Sequence, residues 1–365
     1  MNFRNLYLSL VAVCLCTAAF ANAPADTLYA KKLNPYGRYH YNDKKQLELI
    51  SSAVHFGFSF EGNKCALYVS LNDENGHGYL QYELDGVYQK RIRVDGSSTD
   101  PLIITAPTSG KHEMWIYKAT EAHTGAIIVS KVVAEKIKPL KVSNAPLIEF
   151  IGNSITCGAA SDASEYACGT GDYQDQHNAY MAYGPRVARA LGANFMLSSV
   201  SGIGMYRNWN TLSPTMPQVY EKADFQVNST VKWDFNTYSP KVVSIALGTN
   251  DFSRGDGKSP RKPFDPEAFT AAYVKFVHLV KTKYPKARIA LLSSPMVKGA
   301  DAKTLESCLA AVKKKIDADY PSDKPVETFF FPPMEGRGCG GHPSVEDHGI
   351  MADEVTLFFK KILGE

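Results

Sequence analysis

The chain has 365 residues, which is long enough for two domains with separate hydrophobic cores. Hydrophobic residues make up 44% and aromatic residues 11% of the sequence, a composition that excludes a disordered chain. With 40 Lys and Arg against 37 Asp and Glu, the charge balance offers no electrostatic basis for binding nucleic acid or an anionic membrane surface.

The first 21 residues have the pattern of a secretory signal peptide. Arg4 precedes an apolar run over residues 6–16, and Ala19-Phe20-Ala21 offers a cleavage site between small residues. The run is too short for a spanning helix, so we expect a secreted or periplasmic protein without a membrane span. Bulky residues before the two cysteines of the run argue against a lipid anchor, and a buried N-terminal helix is the less favoured alternative.

The pattern over residues 22–140 predicts a β-sandwich of the jelly-roll kind. Apolar and polar residues alternate over strand lengths, and turn signals such as Asp85-Gly86 and Ser109-Gly110 separate the segments. The predicted strands lie at residues 54–60, 65–71, 79–84, 91–94, 102–104, 112–118 and 127–129.

A proline-containing linker near residues 138–146 precedes a different pattern, which we assign to a second domain over residues 146–365. Predicted strands at 147–151, 193–200, 242–247 and 288–292 alternate with predicted helices at 179–191, 266–283, 305–318 and 345–361. This alternation predicts an α/β domain with a parallel sheet, whose small-molecule sites lie at the carboxyl ends of the strands.

The segment Gly152-Asn153-Ser154 directly follows the first predicted strand of this domain. A nucleophilic serine needs an exposed hydroxyl on a sharp turn with backbone N–H groups nearby, and a strand followed by Gly-x-Ser can supply both. An ordinary strand-to-loop turn is an equally good interpretation of this motif alone.

Three further motifs occupy comparable positions. Gly202, in Ser-Gly-Ile-Gly after the second strand, lets a backbone N–H approach a substrate, although glycine-rich strand ends are common. Asn250, in Gly-Thr-Asn-Asp, can donate to a developing negative charge or can simply form a turn. His342, on a glycine-rich loop before the last helix, is placed to act as a general base.

The ordered set of four motifs resembles the SGNH, or GDSL, hydrolase superfamily. That resemblance implies a three-layer α/β/α hydrolase domain in which Ser154 is the nucleophile and His342 is the base. It further implies an oxyanion hole formed by the backbone N–H groups of Ser154 and Gly202 and by the Asn250 side chain.

A narrower resemblance, to carbohydrate esterase family two, covers nearly the whole mature chain. It rests on the β-domain, on Gly-Asn-Ser-Ile-Thr-Cys-Gly at 152–158, on Asn178-Ala179-Tyr180 and on the segment 110–121. That family implies a secreted O-acetyl esterase that deacetylates xylan- or mannan-type hemicellulose through a serine acyl-enzyme. An esterase or lipase for another small acyl ester, and a carbohydrate-binding relative without catalysis, are the alternatives.

The chain departs from the superfamily pattern near the histidine. Many members carry an Asp two or three residues before it, where this chain has Gly340 and Cys339. We therefore expect a Ser-His dyad whose histidine is oriented by a backbone carbonyl, and not by Asp347 or Glu335. Asn153 also replaces the usual Asp before the serine, a change that does not touch the nucleophile itself.

The sequence also gives expectations for cofactors, for sugar-binding residues and for the binding partner. The sequence has no C-x-x-C pair and no H-E-x-x-H motif, and Ser201-Gly202-Ile203-Gly204 does not continue into the G-x-G-x-x-G form, so we expect neither a metal nor an organic cofactor. Tyr206 and Trp209 are candidates for stacking on a sugar ring, with burial of Trp209 at the domain interface an equal alternative. An acetylated polysaccharide or oligosaccharide is the expected partner, and the oligomeric state is left open.

Of the seven cysteines, Cys14 and Cys16 lie in the predicted leader. Export permits disulfides among the remaining five, and an odd number leaves at least one thiol free. We expect the pairs Cys157–Cys168 and Cys308–Cys339, with Cys65 unpaired.

Overall fold

The computed structural model of the chain describes residues 25–258 and 260–364. The predicted leader over residues 1–21, with its two cysteines, lies outside the described residues. In the part of the chain that is described, no helix combines the length and the apolar composition needed to cross a membrane.

The first half of the chain is built from antiparallel strands. These are β1 (Asp26–Tyr29), β2 (Tyr39–Tyr41), β3 (Leu47–Leu49), β4 (His55–Leu71), β5 (His77–Leu84), β6 (Val87–Asp95), β7 (Leu102–Lys118) and β8 (Ile127–Pro139). Hydrogen bonds join them into one sheet in the order β2-β3-β8-β4-β7-β5-β6, with β1 paired to β8. Alternate residues of β4, which are Phe56, Phe58 and Phe60, are buried in its core, as the period-two pattern predicts. The predicted all-β class of this half is confirmed.

Two of the predicted turns lie inside long strands. Strand β4 joins the predicted strands 54–60 and 65–71, and β7 joins 102–104 and 112–118. The register between β4 and β7 shifts between Gly62 and Lys64, and Gly62 has a φ of +84°. Such a β-bulge takes up extra residues and bends the strand without ending it, and a glycine accepts the positive φ without strain. Turn-forming residues at these points therefore mark a bulge and not a chain reversal.

The second half is an α/β domain with a parallel sheet, as predicted. Its strands are β9 (Leu147–Gly152), β10 (Asn194–Ser199), β11 (Val242–Ala246), β12 (Arg288–Leu292) and β13 (Glu327–Phe329). Its helices are α1 (Ser154–Cys157), α2 (Tyr183–Ala190), α3 (Met216–Val219), α4 (Thr249–Phe252), α5 (Pro266–Lys283), α6 (Gly299–Asp319) and α7 (Val345–Leu363). All neighbouring strands are parallel.

The strand order of this sheet determines where a ligand can bind. The order is β10-β9-β11-β12-β13, so the first strand of the domain lies between the second and the third. Consecutive connections leave such a sheet in opposite directions at this point, which opens a crevice outside the carboxyl ends of the strands. The segments after β9, β10 and β11 meet at that crevice.

Local sequence signals determine where helices α5 and α2 begin. Helix α5 has the predicted bounds, and the Asp265 side chain accepts hydrogen bonds from the N–H groups of Glu267 and Ala268 at its start. The helix predicted over 179–191 is split into a 3₁₀ turn and α2. Proline fits only the first turn of a helix, and Pro185 is the third residue of α2, so the proline restricts where this helix can begin.

A buried ion pair links the two domains. Arg38 of the β-domain and Glu149 of β9 lie 3.5 Å apart, and both side chains are fully buried. The Arg38 guanidinium also donates to Ser198 Oγ at 3.0 Å and to the carbonyl oxygen of Tyr220 at 2.6 Å. Removing one partner of such a pair leaves an uncompensated buried charge, which makes the domain interface costly to open. The β-domain can therefore hold residues in fixed positions against the hydrolase domain.

Candidate active site

Ser154 lies at the carboxyl end of β9, on the turn that begins α1. The Asn153 side chain caps this turn by accepting a hydrogen bond from the N–H of Ile155 at 3.1 Å. A Cβ on Gly152 would lie 2.0 Å from Thr156 Oγ1, so only glycine allows the close approach beneath the turn. Gly158, at a φ of +68°, ends the turn in the left-handed conformation. The short turn thus points Ser154 into the crevice at the sheet edge.

His342 approaches Ser154 from the loop before α7. Its Nε2 lies 3.0 Å from Ser154 Oγ, and its Nδ1 lies 3.2 Å from the carbonyl oxygen of Cys339. A carbonyl only accepts, so Nδ1 carries the proton and Nε2 is left to accept from the serine hydroxyl. Burial lowers the pKa of His342, while the Cys339 carbonyl opposes that shift. The histidine is therefore neutral, and able to act as a base, at neutral pH.

Neither nearby carboxylate contacts His342. Asp347 accepts hydrogen bonds from Arg337 Nε at 2.7 Å and from the N–H of Ser344 at 2.9 Å, which caps α7. The Glu335 side chain is 89% exposed and pairs with Lys298. The structure thus brings Ser154 and His342 together with a peptide carbonyl in the position of a third member.

The predicted disulfide pairs are wrong. Cys168 and Cys339 form the disulfide, with their Cα atoms 5.0 Å apart and a sequence separation of 171 positions. Cys157 is turned into the interior behind the serine, where its thiol donates to Ser199 Oγ at 3.2 Å. Cys308 lies on α6, where its thiol faces the carbonyl oxygen of Pro266 at 3.9 Å. Cys65 is unpaired among the described residues, as expected.

The predicted oxyanion residues share one cavity with Ser154 and His342. This cavity has a volume of about 670 Å³, and both Gly202 and Asn250 line it. Gly202 has a φ of +74°, and a Cβ there would lie 2.7 Å from Trp209, so a glycine is required. One N–H of the Asn250 amide donates to the carbonyl oxygen of Ile203 at 2.7 Å, which fixes the amide and leaves its second N–H free to donate to a ligand.

The two aromatic candidates have different positions. Trp209 lines the cavity and is 42% exposed. These two observations contradict the alternative that Trp209 is buried at the domain interface. Tyr206 does not line this cavity but a different one of about 940 Å³, and its contact with a sugar ring stays a prediction. Its ring packs at right angles on Phe264 and Phe269, and its hydroxyl accepts from the N–H of Asp265.

Several residues that line the cavity were not predicted from the sequence. Glu121 and His123 come from the β-domain, and Tyr173, Ser201 and Met296 come from the hydrolase domain. Segment 110–121 carried the resemblance to the family, but no local signal assigned a role to Glu121. Tyr173 is 49% exposed and lies in a loop without periodicity, so nothing in the sequence marked it as a second aromatic lining residue.

One group of side chains could share a metal ion among the residues that the structure describes. It consists of His77, Asp172 and Asp175, and none of the three lines the Ser154 cavity. His77 Nε2 lies 2.6 Å from Asp175 Oδ1, which also accepts from the Tyr79 hydroxyl. These hydrogen bonds already use His77 Nε2 and Asp175 Oδ1.

Comparison with known proteins agrees with this geometry. Residues 36–142 match the carbohydrate esterase 2 N-terminal domain, and residues 150–320 match the GDSL-like lipase/acylhydrolase family. The second match ends before His342, so the position of that residue rests on the structure.

Curated relatives cover most of the chain. It is 29% identical to the cellulase/esterase CelE of Acetivibrio thermocellus over 90% of its own length, and it spans 39% of the length of that protein. It is 25% identical to an acetylxylan esterase / glucomannan deacetylase of Cellvibrio japonicus, over 90% of this chain and 88% of the relative. A solved family two carbohydrate esterase from Clostridium thermocellum, in complex with cellohexaose, is 28% identical with a TM-score of 0.78. That alignment covers 93% of this chain and 99% of the solved chain.

Proposed function

Because this chain belongs to the carbohydrate esterases of family 2, with that family's N-terminal domain and a GDSL-like hydrolase domain, we propose that it is an exported deacetylase of hemicellulose. Its substrate is an O-acetylated polysaccharide or oligosaccharide of the xylan or mannan type. Ser154 is the nucleophile, and acetate is released through an acyl-enzyme.

The observation that carries this proposal is the distance of 3.0 Å between His342 Nε2 and Ser154 Oγ, in a cavity that Gly202 and Asn250 also line. His342 takes the Oγ proton as Ser154 attacks the acetyl carbonyl carbon. The oxyanion accepts hydrogen bonds from the N–H groups of Ser154 and Gly202 and from the Asn250 amide. The C–O bond to the sugar breaks, and the sugar oxygen takes the proton from His342.

Water completes the cycle at the same site. His342 removes a proton from water, and the resulting hydroxide attacks the acetyl-Ser154 carbonyl. Collapse of the second tetrahedral intermediate releases acetate and returns the proton to Ser154 Oγ. These steps use only residues that line the cavity.

A sugar substrate is supported by the two exposed aromatic residues of the cavity, Trp209 and Tyr173. The apolar faces of such rings can pack on the C–H face of a pyranose. The printed names of the Cellvibrio japonicus relatives, acetylxylan esterase / glucomannan deacetylase, support xylan and mannan as the substrate class. Export is supported by the leader pattern at residues 1–21 and by the Cys168–Cys339 disulfide, because disulfides persist in oxidising compartments.

Acetate release from acetylated xylan and acetylated glucomannan by the wild type and by Ser154→Ala tests this proposal. We expect release by the wild type and a loss of about 10⁴-fold or more in the variant. A variant that keeps more than about a tenth of the activity removes Ser154 from the nucleophile role. Faster hydrolysis of long-chain esters than of both polysaccharides contradicts the substrate, and binding of the polysaccharides without acetate release contradicts catalysis.

A further inference from the structure

A buried carboxylate from the β-domain reaches the hydrolase cavity. Glu121 follows β7 in the connection to β8, is fully buried, and lines the cavity beside Ser154. The acyl-transfer steps above do not use it. A fully buried carboxylate is costly unless donors surround it, so its contacts indicate what it is held there to do.

Glu121 Oε2 binds the loop that carries the oxyanion glycine. It accepts a hydrogen bond from the N–H of Ser201 at 2.7 Å, and the Cys157 sulfur lies 3.6 Å from the same oxygen. Glu121 Oε1 lies 3.5 Å from His177 Nε2. Burial works to raise the pKa of Glu121, but His177 and Ser201 outweigh it and lower the pKa to about 2. The carboxylate is therefore an ionised acceptor at any working pH.

The backbone of the Glu121 turn is itself held in place. Lys118 Nζ, also fully buried, donates to the carbonyl oxygen of Glu121 at 2.6 Å and to that of Thr120 at 3.1 Å. These bonds close the chain on itself directly after β7. Glu121 therefore acts from a rigid support and not from a mobile loop.

Two hydrogen bonds flank the Ser201–Gly202 peptide, whose N–H is one of the proposed oxyanion donors. Glu121 accepts the N–H of Ser201 on one side, and the N–H of Trp209 donates to the carbonyl oxygen of Gly202 at 2.9 Å on the other. The positive φ of Gly202 makes this turn conformationally permissive, so its orientation must be set from outside.

We propose that Glu121 is a positioning residue that orients the Gly202 N–H of the oxyanion hole, so that the β-domain forms part of the catalytic machinery. This inference rests on the proposed esterase function. The charge of Glu121 also acts to raise the pKa of His342, so a role as a remote substitute for a triad carboxylate is the competing interpretation. Its hydrogen bond runs to Ser201 and not to the histidine, which favours positioning.

Two substitutions of Glu121 separate the effect of side-chain length from that of charge. Glu121→Gln keeps an acceptor oxygen at full reach and removes the charge, and its amide N–H₂ can face His177, whose ring nitrogens have no hydrogen-bond partner among the described residues. Glu121→Asp keeps the charge but withdraws it by about 1.5 Å, one carbon–carbon bond, from the Ser201 N–H. Positioning predicts that Gln is the more active variant, and a charge effect predicts that Asp is.

The readout is kcat and KM for 4-nitrophenyl acetate, per mole of folded protein by circular dichroism. We expect Glu121→Gln to keep at least about a third of kcat and Glu121→Asp to lose about 10²-fold, as when one oxyanion donor is lost, with KM within about threefold in both. Higher kcat in the Asp variant than in the Gln variant overturns the proposal. So does equal kcat in the wild type and in both variants.

Glu83→Gln is the matched control. Glu83 is another β-domain carboxylate that accepts from the hydrolase domain, at the Tyr180 hydroxyl, but it does not line the cavity. Its variant should keep the wild-type kcat, and a loss equal to that of Glu121→Asp would assign the effect to the domain interface and overturn the proposal. If the wild type hydrolyses 4-nitrophenyl acetate but no acetylated polysaccharide, the proposed substrate fails while the Glu121 series still decides this inference.

Discussion

The carbonyl oxygen of Cys339 lies 3.2 Å from Nδ1 of His342, so the acceptor that orients the proposed base is a peptide group. A peptide carbonyl fixes the tautomer as a carboxylate does, but it brings no full negative charge to the imidazolium. Cys339 is also the residue that the disulfide binds to Cys168, in the loop after the nucleophile. The orientation of the histidine and the covalent link therefore depend on the same residue.

Neutralising either nearby carboxylate should have little effect on turnover. We expect Asp347→Asn and Glu335→Gln to change kcat by only a few fold, because neither side chain contacts His342. Loss of a true triad carboxylate costs about 10⁴-fold. Steady-state kinetics on 4-nitrophenyl acetate measure the change, and a loss near that size in either variant, with circular dichroism unchanged, would refute the dyad.

Reducing the Cys168–Cys339 disulfide should lower kcat more than it raises KM. Without the link, the Cys339 carbonyl can move away from His342 Nδ1, and a displacement of about 1 Å at a catalytic group can cost as much as about 10²-fold. The free energy of unfolding should also fall by about 2–4 kcal/mol.

Activity is measured in increasing concentrations of a phosphine reductant, with the disulfide state followed by peptide mapping. The control is the double variant Cys168→Ala/Cys339→Ala, which should already have the lowered kcat and should not respond to reductant. Full kcat in the reduced wild type would show that the loop holds its position without the bond.

The value of kcat/KM should stay high to a lower pH than the ordinary pKa of histidine would allow. The base must be neutral to accept the Ser154 proton, and burial lowers the pKa of His342 from its ordinary 6.5. A lowered pKa keeps the imidazole neutral to lower pH, so kcat/KM should fall to half its plateau at a pH below 6.5. A midpoint above that value, in a profile taken at constant ionic strength, would contradict the assigned environment.

Trp209→Ala should weaken binding of the polymer. Loss of one aromatic–sugar contact is worth about 1.4 kcal/mol, a factor of ten, so KM for acetylated xylan should rise about tenfold. Tyr206→Phe is the control, since Tyr206 lies outside the cavity, and its KM should match the wild type. Equal changes in the two variants would remove Trp209 from substrate binding.

The sequence alone was enough to predict that Ser154, Gly202 and Asn250 lie close together. Each follows a predicted parallel strand, and the carboxyl ends of parallel strands meet at one edge of a sheet. This holds for any conformation of the connecting loops. The alternation of strands and helices determined that edge, and His342 followed from its position before the last helix. Local signals also sufficed for α5, where Asp265 and Pro266 mark the start.

Only the tertiary structure decided which distant segments meet there. The Cys168–Cys339 pair joins loops 171 residues apart, so neither spacing nor composition could select it over the expected pairs. Glu121 lines the cavity because the β-domain packs on the hydrolase domain, an interface that also contains the buried Arg38–Glu149 pair. Tyr206 lies outside it because its ring packs on Phe264 and Phe269, which are distant in sequence. Each of these outcomes depends on packing between elements, which no local periodicity encodes.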